Sequence, residues 1–345
     1  MAKPRVLWDA KGKTREEWLQ VRAHGPDGSL DFTLGGSDIP IIFGLSPWTT
    51  MTELWHIKKG NITPKKPDNE DQLEMGHLME PIIGHFYSRM TGNEEIEDTL
   101  MYQHATRDYA IADLDGRFRH STGRRGILEK KWITYRKSMD WNDGMVPPMY
   151  EMQGRWYLGV DDSDDLDFAA MWGNNPASDL ATPSIVRDES SERMIFDRAD
   201  AFIQSLRAGI PPKMDDYKNP KLALQSLARI YGRSRSGLST VEFSTKYEKH
   251  IRMIQEMQAR NAELKAEMKK NEEVIDAHSV PVAEAMKNHE VGELVTSKAK
   301  YIVMFPTRTT RRPDSKMLKV KHPAVFEEVL KVSESRSLKV QKEAV

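Results

Sequence analysis

The sequence predicts an α/β (α+β) core, followed by a long helical hairpin or coiled coil and a small β-hairpin. Three observations predict it. Between residues 14 and 208, stretches of helical periodicity alternate with short apolar runs of strand type. The Gly209–Ile210–Pro211–Pro212 break then interrupts the chain. Beyond it, Tyr247, Ile251, Ile254, Met257, Leu264, Met268 and Ile275 fall near heptad spacing in an otherwise charged stretch, residues 240–277. The expected division is 1–212 for the core, 213–290 for a helical arm of coiled-coil type, and 291–345 for a small basic β-hairpin with a helix.

The chain has 345 residues, enough for two domains. It holds no cysteine, which excludes disulfides, zinc–thiolate sites, iron–sulfur clusters and thiol nucleophiles. A reducing cytosol is the natural setting. No run approaches the roughly 18–20 apolar residues of a membrane span, and the first residues lack the apolar core of a signal peptide. The net charge of −1 gives no bulk attraction for nucleic acid, so such binding needs local basic patches. One runs from Lys298 to Lys321, with eight Lys or Arg against the single acid Asp314.

In order, residues 1–13 read as a flexible lead-in. Thr14 and Glu17 make a capping-box start for a helix with Trp18, Leu19 and Val21 on its apolar side and Arg22 near its end. In LGGSDIPIIFGLSPW (34–48), Gly35 and Gly36 allow tight backbone, and Ser37 and Asp38 are cap types ahead of an apolar run. Backbone N–H groups and a hydroxyl at a helix start can receive a phosphate, with an ordinary capped helix as the competing reading. MTELWHIKKG is a short helix. EDQLEMGHLMEPIIGHFYSRMTG is a longer one, with Glu80 in its middle and Pro81 expected to kink or interrupt it. Strands are expected within 99–112, then a turn at Asp115–Gly116, a basic loop HSTGRRG and the strand ILEKKW. MVPPMYEMQGRWYLGV continues as a helix with Gln153 and Tyr157 at i,i+4 on one face. The five aspartates of DDSDDLD lack the glycine and final glutamate of an EF-hand loop and read as a solvated loop. Strands are expected around Ala169–Trp172 and Ser184–Val186, and helices over 190–208 and 219–232. At the end, Leu294–Phe305 and Lys316–Val320 read as strands joined by the basic TRTTRRPD turn.

In a strand Glu129 and Lys131 share a face, roughly 7 Å apart. Asp115, on a neighbouring antiparallel strand, could meet them. Two carboxylates converging beside a lysine can hold a divalent cation and activate a water, which is equipment for phosphodiester hydrolysis. Each spacing alone is common by chance. The ordered set is more specific: an acid on a helix, Asp-Gly, an apolar strand with Glu-x-Lys, and a helix with Gln-x-x-x-Tyr.

With GGSD…GLSPW and MGHLMEP beside it, the set resembles the YqaJ-like viral recombinase family, relatives of phage lambda exonuclease within the PD-(D/E)XK nuclease fold. The resemblance covers residues 15 to about 212, and DSKMLKVKHP looks like the tail of longer YqaJ-type proteins. It implies a restriction-endonuclease-like core, a central mixed sheet flanked by helices. It implies Asp115 and Glu129 as metal-binding carboxylates, Lys131 as the lysine that orients or activates the attacking water, and Glu80 as the acid that supports a second metal or its waters. Gln153 matches the first glutamine of the family's helix motif, and Arg22 and Ser37 fall where a 5′ phosphate is held. Arg124, Arg125, Arg155 and Tyr157 are further candidates for DNA contact. Hard oxygen ligands favour Mg²⁺, with Mn²⁺ as a substitute. The implied activity is 5′-to-3′ degradation of one strand from double-stranded DNA ends, leaving 3′ tails. The implied partner is a single-strand annealing protein of the RecT or Beta type. A homo-oligomer is expected, since lambda exonuclease is a ring-shaped trimer.

Three residues depart from the family pattern. Lys130 stands where an apolar residue is usual, so its side of the strand is expected to be less buried. Trp132 replaces a small polar residue, and Arg155 a second glutamine. Two alternatives remain. A structure-specific or restriction-like endonuclease on the same fold would not need a free end. A DNA-binding or scaffold module with a vestigial site would show no Mg²⁺-dependent turnover.

Overall fold

The computed structural model describes residues 3–65, 70–214, 219–232, 240–330 and 340. Two compact units, Met1–Gly232 and Arg233–Val345, make up the chain. The first opens with β1 (Arg5–Asp9), α1 (Arg15–His24), α2 (Ile39–Ile42), α3 (Met51–Lys58) and α4 (Glu70–Thr91). It continues with β2 (Glu94–Ile96), β3 (Leu100–Gln103), β4 (Ile111–Asp113), β5 (Arg117–Arg119) and β6 (Arg125–Trp132). Then come α5 (Pro148–Asp161), β7 (Asp165–Met171), α6 (Pro176–Asp179), β8 (Leu180–Ala181), β9 (Ser184–Val186), α7 (Glu189–Ala208) and α8 (Pro220–Tyr231).

The central sheet has the order β2-β5-β6-β7-β8, with β9 also on β7. Only β6 and β7 run parallel; the other pairs are antiparallel. Parallel neighbours need a crossover, and α5 supplies it. The strand β6 is buried from Gly126 to Lys130 because both faces are covered. On one face, Leu128 joins Phe118, Ala169 and Met171 under Ile83 and Tyr87 of α4. On the other, Ile127, Leu166 and Phe168 join Trp156 and Leu158 of α5 and Phe196 and Phe202 of α7. This is the mixed sheet flanked by helices that the sequence led us to expect. A second sheet, β1-β3-β4, is antiparallel throughout. The helix α8 belongs to this unit: Ser226 Oγ donates to Glu53 Oε2 at 2.5 Å and Arg229 is ion-paired to Glu53.

Several local expectations are corrected. Residues 5–9 are not a lead-in but a strand, because β3 offers them an antiparallel partner. The helix α4 continues through Pro81. The proline removes one donor, but the turns beyond it bury Ile83, Gly84 and Tyr87, and that packing holds them helical. The DDSDDLD run is not a solvated loop. Asp161 ends α5 and Asp165 to Asp167 lie in β7, where arginines neutralise them.

In the second unit, α9 (Glu248–Met286) is one helix of 39 residues, about 58 Å long. It runs through Pro281, so 281–286 extends the helix instead of folding back on it. An antiparallel hairpin follows, β10 (Val291–Val295) and β11 (Lys300–Met304). It sits on the helix end through Met286: a Cβ on Gly292 would lie 2.6 Å from the Met286 sulfur. Residues 316–320 are helical, within α10 (Ser315–Lys321), not a strand. The Asp314 carboxylate accepts from the Lys316 and Met317 N–H groups and so starts a helix there. The short α11 (Pro323–Val329) completes the unit. Among the described residues no helix is long and apolar enough to cross a membrane.

Candidate active site

Strand alternation puts Glu129 and Lys131 on the α5 side of β6. The antiparallel pairing of β5 with β6 brings the Asp115 turn to the same place. The Leu128 N–H donates to the Gly116 carbonyl at 2.9 Å, and the Lys130 N–H to Asp115 Oδ2 at 2.9 Å. Lys131 Nζ donates to Glu129 Oε1 and lies 3.6 Å from Asp115 Oδ2. From α5, Gln153 Nε2 donates to Glu129 Oε1 at 2.8 Å and to Tyr157 Oη at 2.9 Å. Glu129 is completely buried, yet its second oxygen, Oε2, has no hydrogen-bond partner.

The charges do not balance here. Burial, the Asp115 charge and, more weakly, Glu80 push the Glu129 carboxyl up to about 8, against the pull of Lys131. Burial and Asp115 also raise Glu80, opposed by His77 and Lys130. Burial works against the charge of Lys131, but Glu129 and Asp115 outweigh it and hold this lysine protonated. One ammonium therefore serves two carboxylates, with a third close enough to be felt.

A cavity of about 460 Å³ opens on this set, lined among others by Ser37, Glu80, Lys131, Tyr150 and Gln153. A second, of about 890 Å³, shares Glu80, His77 and Lys130 with it and reaches Asp113 and Asp115. Ser37 stands in the first cavity because of its glycines. A Cβ on Gly36 would lie 2.5 Å from the Tyr157 ring, and one on Gly35 would lie 3.2 Å from the Arg22 guanidinium. Arg22 donates to Ser37 Oγ and stacks over Trp18 at 4.9 Å. Arg22 and Ser37 are thus in contact, and Ser37 lines the cavity that also holds Gln153 and Lys131. Asp38 beside it is pushed up by burial, but Lys58, 2.9 Å away, and Arg22 hold it below the usual carboxylate range.

Of the other residues singled out from the sequence, the arginines lie elsewhere, while Tyr157 and Lys130 border the site. Arg124 is bonded to Asp165 and Asp167, at 3.0 and 3.1 Å. Arg155 is paired with Glu151 at 2.7 Å and donates to the Val186 carbonyl. Arg125 is exposed at the start of β6. Tyr157 is buried under Gly36 and accepts from Gln153. Lys130 is the clearest departure from expectation. It is only 7% exposed, and its Nζ lies 2.8 Å from Glu95 Oε1, because β2 delivers that acid to its face of the sheet.

Three neighbours were not foreseen. His77 Nδ1 is 3.0 Å from Glu80 Oε1, and its i,i+3 spacing on a helix was a usable signal. Trp18 Nε1 donates to Asp113 at 2.6 Å, and burial pushes that carboxyl up to about 6. Glu95 meets Lys130. The last two contacts span 95 and 35 residues, and no local pattern announces them.

The donor set fits a hard divalent cation. Among the described residues no three His, Asp or Glu side chains could enclose an ion by themselves. Mg²⁺ does not require that, since one or two carboxylates with water and phosphate oxygens suffice. The unpartnered Glu129 Oε2 and the mutual repulsion of the acids are what such an ion would relieve.

The chain is 26% identical over 334 residues to the uncharacterized protein YqaJ of Bacillus subtilis (strain 168), covering 96% of this chain and 95% of that one. Among solved structures it is similar to the alkaline exonuclease LHK-Exo of Laribacter hongkongensis in complex with dAMP. That match has 20% identity and a TM-score of 0.46, over 60% of this chain and 98% of that one. It is also similar to a phage-related exonuclease of Haemophilus somnus 129PT, with 14% identity and a TM-score of 0.38, over 51% of this chain and 93% of that one. Residues 17–164, which include every site residue described above from Arg22 to Tyr157, match the family model described as a YqaJ-like viral recombinase domain.

Proposed function

We propose that the protein is a metal-dependent 5′-to-3′ exonuclease acting on double-stranded DNA ends. The observation that carries this is the buried Glu129 carboxylate, bonded on one oxygen by Lys131 and Gln153 and unpartnered on the other. Asp115 and Glu129 would hold Mg²⁺ or Mn²⁺, with Glu80 supporting a second ion or its waters. Bound there, the ion would polarise the scissile phosphate and lower the pKa of a water. Lys131 places a fixed positive charge beside the nucleophile and the developing phosphate charge. Gln153 keeps Glu129 in one rotamer. Arg22 and Ser37 receive the 5′ phosphate through charge-assisted hydrogen bonds. The water oxygen bonds to phosphorus, the P–O3′ bond breaks, and the leaving 3′ oxygen takes a proton. The 3′ single strand left behind is substrate for an annealing protein of the RecT or Beta type, and the working form is a homo-oligomer.

The test is one gel. Linear duplexes labelled at each end, with and without 5′ phosphate, are incubated with the protein and Mg²⁺. Loss from 5′ ends, faster with 5′ phosphate, and no action on closed circular duplex are expected. Cleavage of closed circles would replace the proposal with an endonuclease. DNA binding without Mg²⁺-dependent turnover would replace it with a binding module.

A further inference from the structure

We propose that Glu95 is a positioning residue that cancels the positive charge of the buried Lys130 behind Glu80, and so keeps that charge from weakening divalent-ion binding at the site. This rests on the proposal above that Glu80, Asp115 and Glu129 serve a divalent cation.

The placement is specific. Lys130 lies between Glu129 and Lys131 in sequence but points to the opposite face of β6. On that face Leu128, two residues earlier, packs with Phe118, Ala169, Met171 and Ile83 as one apolar cluster, whereas Lys130 meets Glu95 and a cavity that Glu80, Asp113 and Asp115 also line. An ion pair costs desolvation that an aliphatic pair would not. The fold nevertheless makes room for the acid. A Cβ on Gly84, one turn beyond Glu80 on α4, would fall 2.2 Å from the Glu95 carboxylate. Glu95 is thereby held against the same helix that carries Glu80.

Lys130 also touches the site directly. Its backbone N–H is bonded to Asp115, and its side chain borders both cavities, as Glu80 does. Its charge acts on Glu80 in the direction opposite to burial and Asp115. A cation bound between Glu80 and Asp115 would therefore be repelled by Lys130, and that repulsion is offset by Glu95, 2.8 Å from Nζ.

The two partners then have opposite effects on ion binding, although breaking either one breaks the same contact. Lys130→Met leaves Glu95 uncompensated and adds negative charge near the site. Glu95→Gln leaves Lys130 uncompensated and adds positive charge. Binding of Mn²⁺ to the metal-free protein without DNA is measured by titration calorimetry, and the Mg²⁺ concentration for half-maximal DNA degradation is measured alongside.

We expect Lys130→Met to tighten Mn²⁺ binding and Glu95→Gln to weaken it, each on the order of three- to tenfold. Because single variants leave a buried charge unpaired, the double variant Lys130→Met/Glu95→Met is included; apolar replacement of a buried pair is usually tolerated. It should bind Mn²⁺ within about twofold of the parent. Shifts in the same direction, or no shift in any variant, overturn the inference and leave the pair a structural tie between β2 and β6. If the parent itself binds no divalent cation and degrades no DNA, the proposed function fails, and this inference with it.

Discussion

Two acidic regions of the first unit invite comparison. The Asp161–Asp167 run is dense in sequence, with five aspartates in seven residues. The candidate site gathers only Glu80, Asp115 and Glu129, from three separate places in the chain. Yet the run is the quieter of the two. Arg117 grips Asp161 through two hydrogen bonds of 2.9 and 2.7 Å, Arg187 holds Asp162, and Arg124 bridges Asp165 and Asp167. Tyr87 and Ser184 complete Asp167. At the site, Lys131 alone contacts both Asp115 and Glu129, and one oxygen of Glu129 is left over. The density of acids therefore says little about ion binding. What matters is whether the fold supplies enough cations to neutralise them.

The comparison can be broken first at its active end. Glu129→Gln removes the unsatisfied oxygen's charge while keeping most of the shape. Nuclease turnover on linear duplex is expected to fall about a thousandfold or more, with duplex binding retained in a gel-shift assay. Retained turnover would remove Glu129 from the site.

At the neutralised end the expected loss is of folding, not turnover. The Arg117 guanidinium serves Asp98 and Asp161, whose side chains are 5% and 4% exposed. Arg117→Met leaves both buried and unpaired, and denaturant unfolding should report a loss of about 3–5 kcal/mol. A loss below about 1 kcal/mol would show that these aspartates are not neutralised as described.

The effect of Gln153→Met is expected to be smaller. The variant removes the donor that orients Glu129 and should weaken divalent binding or turnover by roughly 10- to 100-fold. An unchanged affinity and rate would mean that Lys131 alone fixes the carboxylate.

The last prediction is a pH dependence of the metal-free protein. The Glu129 carboxyl is raised from 4.5 to about 8, so the folded state binds this proton more tightly than the unfolded chain does. Its contribution to stability is fully present below about 4.5 and is lost as pH rises towards about 8. By calorimetry, the unfolding midpoint of the metal-free protein should therefore fall with pH relative to Glu129→Gln. Mg²⁺ should restore it at the alkaline end. Parallel curves for the two proteins would contradict the assignment.

Much of the site was legible because its parts follow local rules. The alternation of a strand placed Glu129 beside Lys131, the Asp-Gly turn placed Asp115, and helical spacing paired Gln153 with Tyr157. Other features escaped because their causes are not local. The acidic run looked solvated because its arginines, Arg117, Arg124 and Arg187, lie up to 44 residues away in the chain. Lys130 looked poorly buried because Glu95 sits in another strand. Residues 5–9 looked unstructured because a strand shows itself only once β3 is there to pair with it.

By itself the sequence determined the residue types, their order and their spacing along each element. Those follow from backbone geometry and side-chain chemistry within a few residues. The tertiary structure alone decided which acids would be neutralised and which would be left wanting a cation. Neutralisation at Asp161–Asp167 and its shortfall at Glu129 both depend on sheet register and helix packing. Coulomb energy reaches across a few ångströms of space, whatever the distance along the chain.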